Sequence, residues 1–303
     1  MKKIVKRTLL GILAVVGLLV IVAAVFIGPS IYRATVGLHR YETEAPTLPD
    51  GLKDTAILIF SKTNGFRHEE AIPAANAAFA KIAERRGWSV FATENAAVFN
   101  PEQLKRFKAV VWNNASGDVL TEAQREAFKS YLESGGGYVG IHAAGDNSHH
   151  AWAWYTDTLI GAHFIGHTLN PQFPQATVRI EDHANPATQG LGDSWTRNDE
   201  WYSFDASPRA KGYHVLATLD EATYKPVMRF PVIGARDIHM GDHPIVWLHC
   251  VGSGRAFYSA MGHQASAYAE PEYLHLLEGA MAWAAGLEGT TCVDGHEVAR
   301  QAQ

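Results

Sequence analysis

Short apolar runs alternate along the chain with stretches of helical spacing. Residues 55–60 are continuously apolar, the pattern of a strand buried on both faces. A polar loop, 61–68, follows. Residues 69–86 are Ala-rich with helical spacing and stop at Gly87, a usual C-terminal signal. The pattern then predicts a strand over 88–93, a short helix over 101–106 and a strand over 109–112. Thr121 and Gln124 form a capping box that opens a helix running to Ser134. Glycines 135–137 end that helix. A fourth strand, 138–141, then runs into a turn of small residues with His142 at its apex. This is the layout of a nucleophile elbow, in which a strand-to-helix turn lifts one side chain above the sheet edge. The apex normally carries Ser or Cys. An imidazole there can ligate a metal or move a proton but rarely attacks.

Four strands alternating with helices predict an α/β fold on a parallel sheet with right-handed crossovers. Sites in such sheets lie at the carboxyl ends of the strands. Those ends are the polar segments 64–68, 113–118 and 142–150. The second half is less regular. It predicts a helical stretch over 152–160, strands over 177–181, 214–218, 244–250 and 256–260, a hairpin turn at 252–254 and a closing helix over 271–285.

Ahead of this domain, residues 8–28 carry no charge and are mostly Leu, Val, Ile and Ala. About 20 helical residues cross a bilayer core. Lys2, Lys3, Lys6 and Arg7 precede the run, and Arg33 and Arg40 follow it. The positive-inside bias then keeps residues 1–7 in the cytoplasm and exports the rest to the periplasm or cell exterior. The alternative is a cleaved signal peptide, whose apolar region spans roughly 7–15 residues before a small-residue site. This run is longer, and Phe26-Ile27-Gly28-Pro29 is a poor cleavage site. The expectation is a single-pass membrane anchor. Residues 29–52 then form a Pro- and acid-bearing linker, 53–288 the domain and 289–303 a mobile tail. The net charge of −5 and the absence of Lys/Arg runs argue against nucleic acid. Cys250 and Cys292 either bridge, as an exported domain allows, or Cys250 is a buried thiol in an apolar strand.

Several segments carry a family resemblance. They are Asn64-Gly-Phe-Arg-His68, Gly135-Gly-Gly-Tyr-Val-Gly-Ile-His142, Gly161-Ala-His-Phe-Ile-Gly-His167, Asp199-Glu-Trp-Tyr202 and Gly254-Arg-Ala-Phe-Tyr-Ser-Ala-Met-Gly-His263. In this order the chain resembles the ThuA-like (trehalose-utilisation) family, a branch of the class I glutamine-amidotransferase-like fold. The resemblance implies a flavodoxin-like sheet sandwiched by helices, and a link to the metabolism of sugars, including 3-keto-sugars. True amidotransferases of this class hold Cys at the elbow. Here His142 occupies the elbow, His263 matches the later His, and neither cysteine is near an elbow. Glutamine hydrolysis through a thioester is not expected.

Eleven of the fifteen histidines fall between residues 142 and 263. Imidazole is a common ligand for Zn and other first-row metals, and catalytic sites typically use three protein ligands plus an open position. His142, His163, His167 and His263 are the candidate ligands for a divalent metal, Zn or Mn. His163 and His167 would share a face if that stretch were helical. Metal-free acid–base catalysis by His142 and His263 is the alternative. Glu200 is the candidate proton carrier, with an apolar wall at Trp201 expected to raise its pKa. Its other reading is an ion-pair partner for Arg197 or Arg67. Asn64, Arg67, His68, Asp146, Trp201 and Tyr202 are expected to bind substrate: Arg67 through an anionic or carbonyl oxygen, the two aromatics because their faces suit the C–H faces of sugars, while His68 reads as a substrate contact, a ligand or a loop hydrogen-bonder. Against this, Arg67 reads equally as a surface salt bridge, Asp146 as a turn cap, and the Trp152, Trp154, Tyr155, Trp195 cluster as core. The reading is an exported, membrane-anchored enzyme on a sugar or keto-sugar derivative; the alternative is a non-catalytic sugar-binding module.

Overall fold

The computed structural model describes residues 2–298. Helix α1 (Lys2–Phe26) is followed by the short helix α2 (Gly28–Thr35). Its stretch Lys6–Phe26 is long and apolar enough to cross a membrane. The domain opens with β1 (Ala56–Phe60), α3 (Ala71–Arg86), β2 (Ser89–Thr93), α4 (Pro101–Leu104), β3 (Ala109–Asn113), α5 (Glu122–Glu133) and β4 (Gly137–Ile141). These follow the predicted alternation, and Thr121 and Gln124 make the capping box. Then come β5 (Phe164–His167), β6 (Gln175–Ile180), β7 (Ser194–Asn198), β8 (Tyr202–Phe204), β9 (His214–Asp220), β10 (Val227–Phe230) and β11 (Gly234–Asp237). The fold closes with β12 (Pro244–Val251), β13 (Gly254–Ser259), α6 (Pro271–Ala284), β14 (Thr291–Val293) and β15 (His296–Val298).

The central sheet is mixed rather than wholly parallel. Its order is β2-β1-β3-β4-β13-β12-β9-β6-β7. From β2 to β13 all pairs are parallel; from β13 outward they are antiparallel. The physical reason is the connection length. The Gly252-Ser253 turn between β12 and β13 is too short for a crossover, so it can only make a hairpin. Helices cover both faces. On β3, Asn113 reaches the carbonyl of Ile72 in α3, while its neighbour Trp112 stacks on Phe128 of α5. Adjacent strand residues point to opposite faces, so α3 and α5 lie on opposite sides. Helix α6 packs beside α3.

Two segments depart from the sequence expectation. The linker is no free tether. Residues 38–46 run along the domain: the N–H of Leu38 donates to the carbonyl of Asn64, and Asn64 Nδ2 donates to the carbonyl of Arg40. Gln124 and Gln103 donate to the carbonyls of Glu42 and Pro46, and Lys62 pairs with Glu42. Backbone carbonyls make most of these bonds, so composition gave no sign of them. At the other end, the expected tail forms the β14–β15 hairpin as far as Val298, and residues 299–303 lie outside the described part. A disulfide between Cys250 and Cys292 ties this hairpin to β12. Replacing both cysteines by Ala is expected to cost about 4 kcal/mol, from the closure entropy of a loop with a sequence separation of 42. A urea denaturation midpoint unchanged from wild type would contradict this.

Candidate functional site

The elbow is present. Strand β4 ends at Ile141, and a one-turn 3-10 helix, His142–Gly145, follows. His142 sits at its start with φ 48°, the left-handed region that costs a non-glycine residue roughly 1–3 kcal/mol. The surrounding packing fixes it there. Tyr258 Oη donates to its carbonyl at 2.8 Å, and the Tyr202 ring lies against its imidazole, with centroids 4.2 Å apart. His142 Nδ1 lies 2.8 Å from the carbonyl of Ala260, which only an N–H can satisfy. Nδ1 therefore carries a proton, and Nε2 is turned inward.

Three further side chains meet His142. His68 comes from the loop after β1, Glu200 from between β7 and β8, and His263 from the loop after β13. His142 Nε2 is 3.0 Å from His263 Nδ1 and 3.4 Å from Glu200 Oε2. His263 Nδ1 is 2.9 Å from Glu200 Oε2 and 3.2 Å from His68 Nε2. The four groups are buried except for part of His263, and their donor atoms all lie within 4.8 Å of one another. Ligand atoms about 2.0–2.1 Å from a tetrahedral zinc stand about 3.3 Å apart, close to the spacings above. Three ring nitrogens and a carboxylate oxygen aimed at one point also repel one another unless a cation or shared protons lie between them. The residues present therefore fit a divalent metal.

The electrostatics follow from burial and proximity. Burial pushes the Glu200 carboxyl up, but hydrogen bonds to His142 and His263, with their charge, hold it well below the usual carboxylate range. This reverses the sequence expectation: the groups nearest the carboxylate are imidazoles, and the apolar wall is outweighed. Burial lowers His142, yet the bond to and charge of Glu200 raise it overall. His68 is held well below its ordinary value by burial, then by His142 and His263.

The loops are clamped from behind. Asp199 is fully buried. Its Oδ1 accepts the N–H of Glu200 at 2.9 Å and of His263 at 3.1 Å, and its Oδ2 accepts that of Gly262 at 2.8 Å. Arg197 Nη2 pairs with it at 3.0 Å. Gly262 has φ 113°, and a Cβ there would come within 2.6 Å of Tyr268 Oη, so only glycine allows this turn. Gln172 Nε2 donates to Glu200 Oε1 at 2.5 Å, and His167 Nδ1 lies 3.2 Å from the same oxygen. Gln172 and Asp199 were not singled out from sequence. Each acts through a neighbour's backbone or carboxylate; Asp199 does open one of the segments that carry the family resemblance, whereas Gln172 lies in none of them.

The other expected residues are placed differently. His163 does not join the cluster. Residues 164–167 form a strand rather than a helix, and His163 turns to Asp157, 2.8 Å away and exposed. His167 is beside Glu200, not among the four converging donors. Arg67 is engaged by Glu69, Glu94 and Thr63. Asn64 holds the carbonyls of Arg40 and Asp118. Asp146 caps a turn through the N–H of Ser148. Trp201 is buried and donates to the carbonyl of Pro174. Trp152 and Tyr155 pack with Phe128 and Trp112 in the core. Tyr202 alone of the aromatic candidates touches the centre. Phe66 stands beside His68 and Phe173 beside His263.

A flavodoxin-like α/β sheet with a three-histidine, one-carboxylate centre at its carboxyl edge defines the class. The chain belongs to the ThuA family, described as "Trehalose utilisation", whose sequence model matches residues 56–284. A ThuA-like protein from Bacteroides uniformis is 27% identical with a TM-score of 0.64, over 80% of this chain and 95% of its own. One from Parabacteroides merdae is 17% identical with a TM-score of 0.53, over 82% of this chain and 98% of its own, a likeness of fold. No curated protein matches the chain.

Proposed function

We propose that the chain is a membrane-anchored, exported enzyme that acts on a sugar or keto-sugar derivative by metal-assisted acid–base chemistry. One observation carries the reading: His68, His142, His263 and Glu200 converge at the carboxyl edge of the sheet. A divalent metal such as Zn or Mn, when bound by these residues, supplies Lewis-acid polarisation of a carbonyl or hydroxyl. The chain's own groups do the rest. Ala260 and Tyr202 fix the tautomer and tilt of His142. Glu200, held ionised and oriented by Gln172, serves as ligand or base at Oε2 and not as the general acid expected from sequence. His167, part-exposed beside Glu200 Oε1, carries the proton to solvent. The sugar assignment is supported by the family's description alone. The anchor reading is supported by the apolar span Lys6–Phe26, with the N-terminus cytoplasmic from its flanking charges. Glutaminase chemistry is not proposed, because the elbow holds His and both cysteines are joined to each other.

A non-catalytic sugar-binding module is the second reading. The burial of the centre favours it, since four protein donors close a tetrahedral set, as in structural zinc sites.

Elemental analysis tests the centre. The full chain in detergent is expected to hold near-stoichiometric metal, and His142→Ala with His263→Ala is expected to lose it. No metal in either protein, even after Zn and Mn addition, would sink the metal mechanism. Loss of sugar turnover with retained sugar affinity in Glu200→Gln then separates enzyme from module.

A further inference from the structure

The β10–β11 hairpin carries an apolar tip that the domain does not use. Val232 is 106% exposed, Ile233 85% and Phe230 37%. Val232 stands at φ 70°, a genuine outlier for a β-branched residue. A turn that only reversed the chain would be better served by Gly or Asn. This one carries Phe230-Pro231-Val232-Ile233, flanked by exposed Arg229 and Arg236.

The hairpin is held at the candidate site. Met228 bridges to Leu169, and Asn170 Nδ2 donates to the carbonyl of Arg229 at 2.7 Å. Two residues on, Gln172 holds Glu200. The anchor segment is pinned to the loop that carries His68, another of the loops that build the centre, through Leu38 and Asn64. Between Phe26 and Leu38, helix α2 takes up eight residues. At about 1.5 Å per helical and 3.4 Å per extended residue, this pinned loop lies within roughly 30 Å of the end of α1. Helix α2 adds exposed Ile31 and Tyr32 on the way.

We propose that the β10–β11 tip docks into the bilayer that holds α1, so that the candidate site is addressed to the membrane surface. The inference rests on the reading of α1 as an anchor. Apolar side chains at a tip between two arginines suit the headgroup boundary, where the rings and aliphatic groups enter the acyl region and guanidinium groups stay at the phosphates. Exposed apolar clusters of this kind mark interaction surfaces, and the occupant here is the bilayer because the chain is already tied to it beside the same site.

The full chain is reconstituted in vesicles of phosphatidylethanolamine and phosphatidylglycerol. Val232→Cys carries an environment-sensitive fluorophore, with Ile233→Cys as a second reporter should the first not fold. Ser253→Cys, at the opposite end of the sheet, is the reference. The tip probe is expected to shift to the blue and to lose most of its emission when nitroxide-bearing lipids are included, while the Ser253→Cys probe does neither. A tip probe that behaves as the reference overturns the inference. A blue shift that ignores nitroxide lipids and grows with protein concentration also overturns it, since a second copy then covers the tip. Alkaline extraction separates the two readings. Release of the chain from the vesicles removes the anchor and the docking together. Retention with an unquenched tip removes the docking alone.

Discussion

Glu200→Gln is expected to weaken metal binding on the order of 100-fold or more, beyond the loss typical of an outer-sphere partner. Competition with a chromophoric chelator measures it; an affinity within a factor of about three of wild type would remove Glu200 from the donor set. The same variant makes a second, metal-independent statement. In chelator-treated protein the carboxylate is the counter-charge for His142. His142 is raised above its ordinary 6.5, so its contribution is full below pH 6.5 and lost as pH rises through the raised value. Glu200 is held well below its ordinary 4.5, so its contribution is present above pH 4.5 and lost as pH falls through the lowered value. The two overlap between pH 4.5 and 6.5. There the metal-free variant should fall short of wild type by about 1–3 kcal/mol, and the deficit should shrink toward alkaline pH. His68 opposes this trend in both proteins, because a buried neutral imidazole loses stability as pH falls below 6.5. The charge of Glu200 itself supports protonated His68, so the variant loses that support as well and its deficit at low pH deepens in the same direction. A deficit that does not vary with pH would mean that the ion pair does not form.

The first half of the domain was legible because β1, β3 and β4 are buried along their whole length and therefore read as apolar runs, broken only at Asn113 where β3 ends. In the second half β6, β9, β12, β13, the turn between the last two and α6 also follow the expected pattern, whereas β5, β7, β8, β10 and β11 do not show in it, since their places are set by pairing. Strand β7 is Ser-Trp-Thr-Arg-Asn, exposed at Ser194, Thr196 and Asn198, part-covered at Trp195 and buried at Arg197, and its place follows from its register with β6. The site divides in the same way. His142 could be read because a strand ending among small residues is a local pattern. The i, i+4 spacing of His163 and His167 would bring them together on a helix, which Gly161 and Gly166 argue against, so their convergence depended on the fold, and the fold turns His163 away to Asp157. The chain there is a strand with a register shift before Gly166. Which histidines converge is decided by strand order: β1, β4 and β13 bring His68, His142 and His263 to one edge, although 195 residues separate the first from the last. The strap over 38–46 left no trace, and the clamp at Asp199 showed only as part of a matching segment with no role attached, as their bonds go chiefly to backbone groups.

Asp199→Ala should be the most destabilising single change at the centre. Arg197 and Asp199 are both almost wholly buried, and removing one partner of such a pair costs about 3–5 kcal/mol, because the other charge is left in a poor solvent. Arg197 keeps Glu270 at 3.2 Å and the face of Tyr273 at 4.5 Å, which places the expected loss toward the lower end. Three backbone N–H groups, of Glu200, Gly262 and His263, lose their acceptor in the same step. The clamp therefore joins stability to the site: the two loops it ties carry one donor each. Urea denaturation gives the stability, and chelator competition on the folded fraction gives the metal affinity. Both are expected to fall in Asp199→Ala. A second substitution, Arg197→Met, removes the stranded charge and should restore much of the stability. It should not restore the affinity, because nothing in the double variant replaces the carboxylate that orients the loops. Recovery of both would make the clamp a packing feature with no part in placing Glu200 and His263.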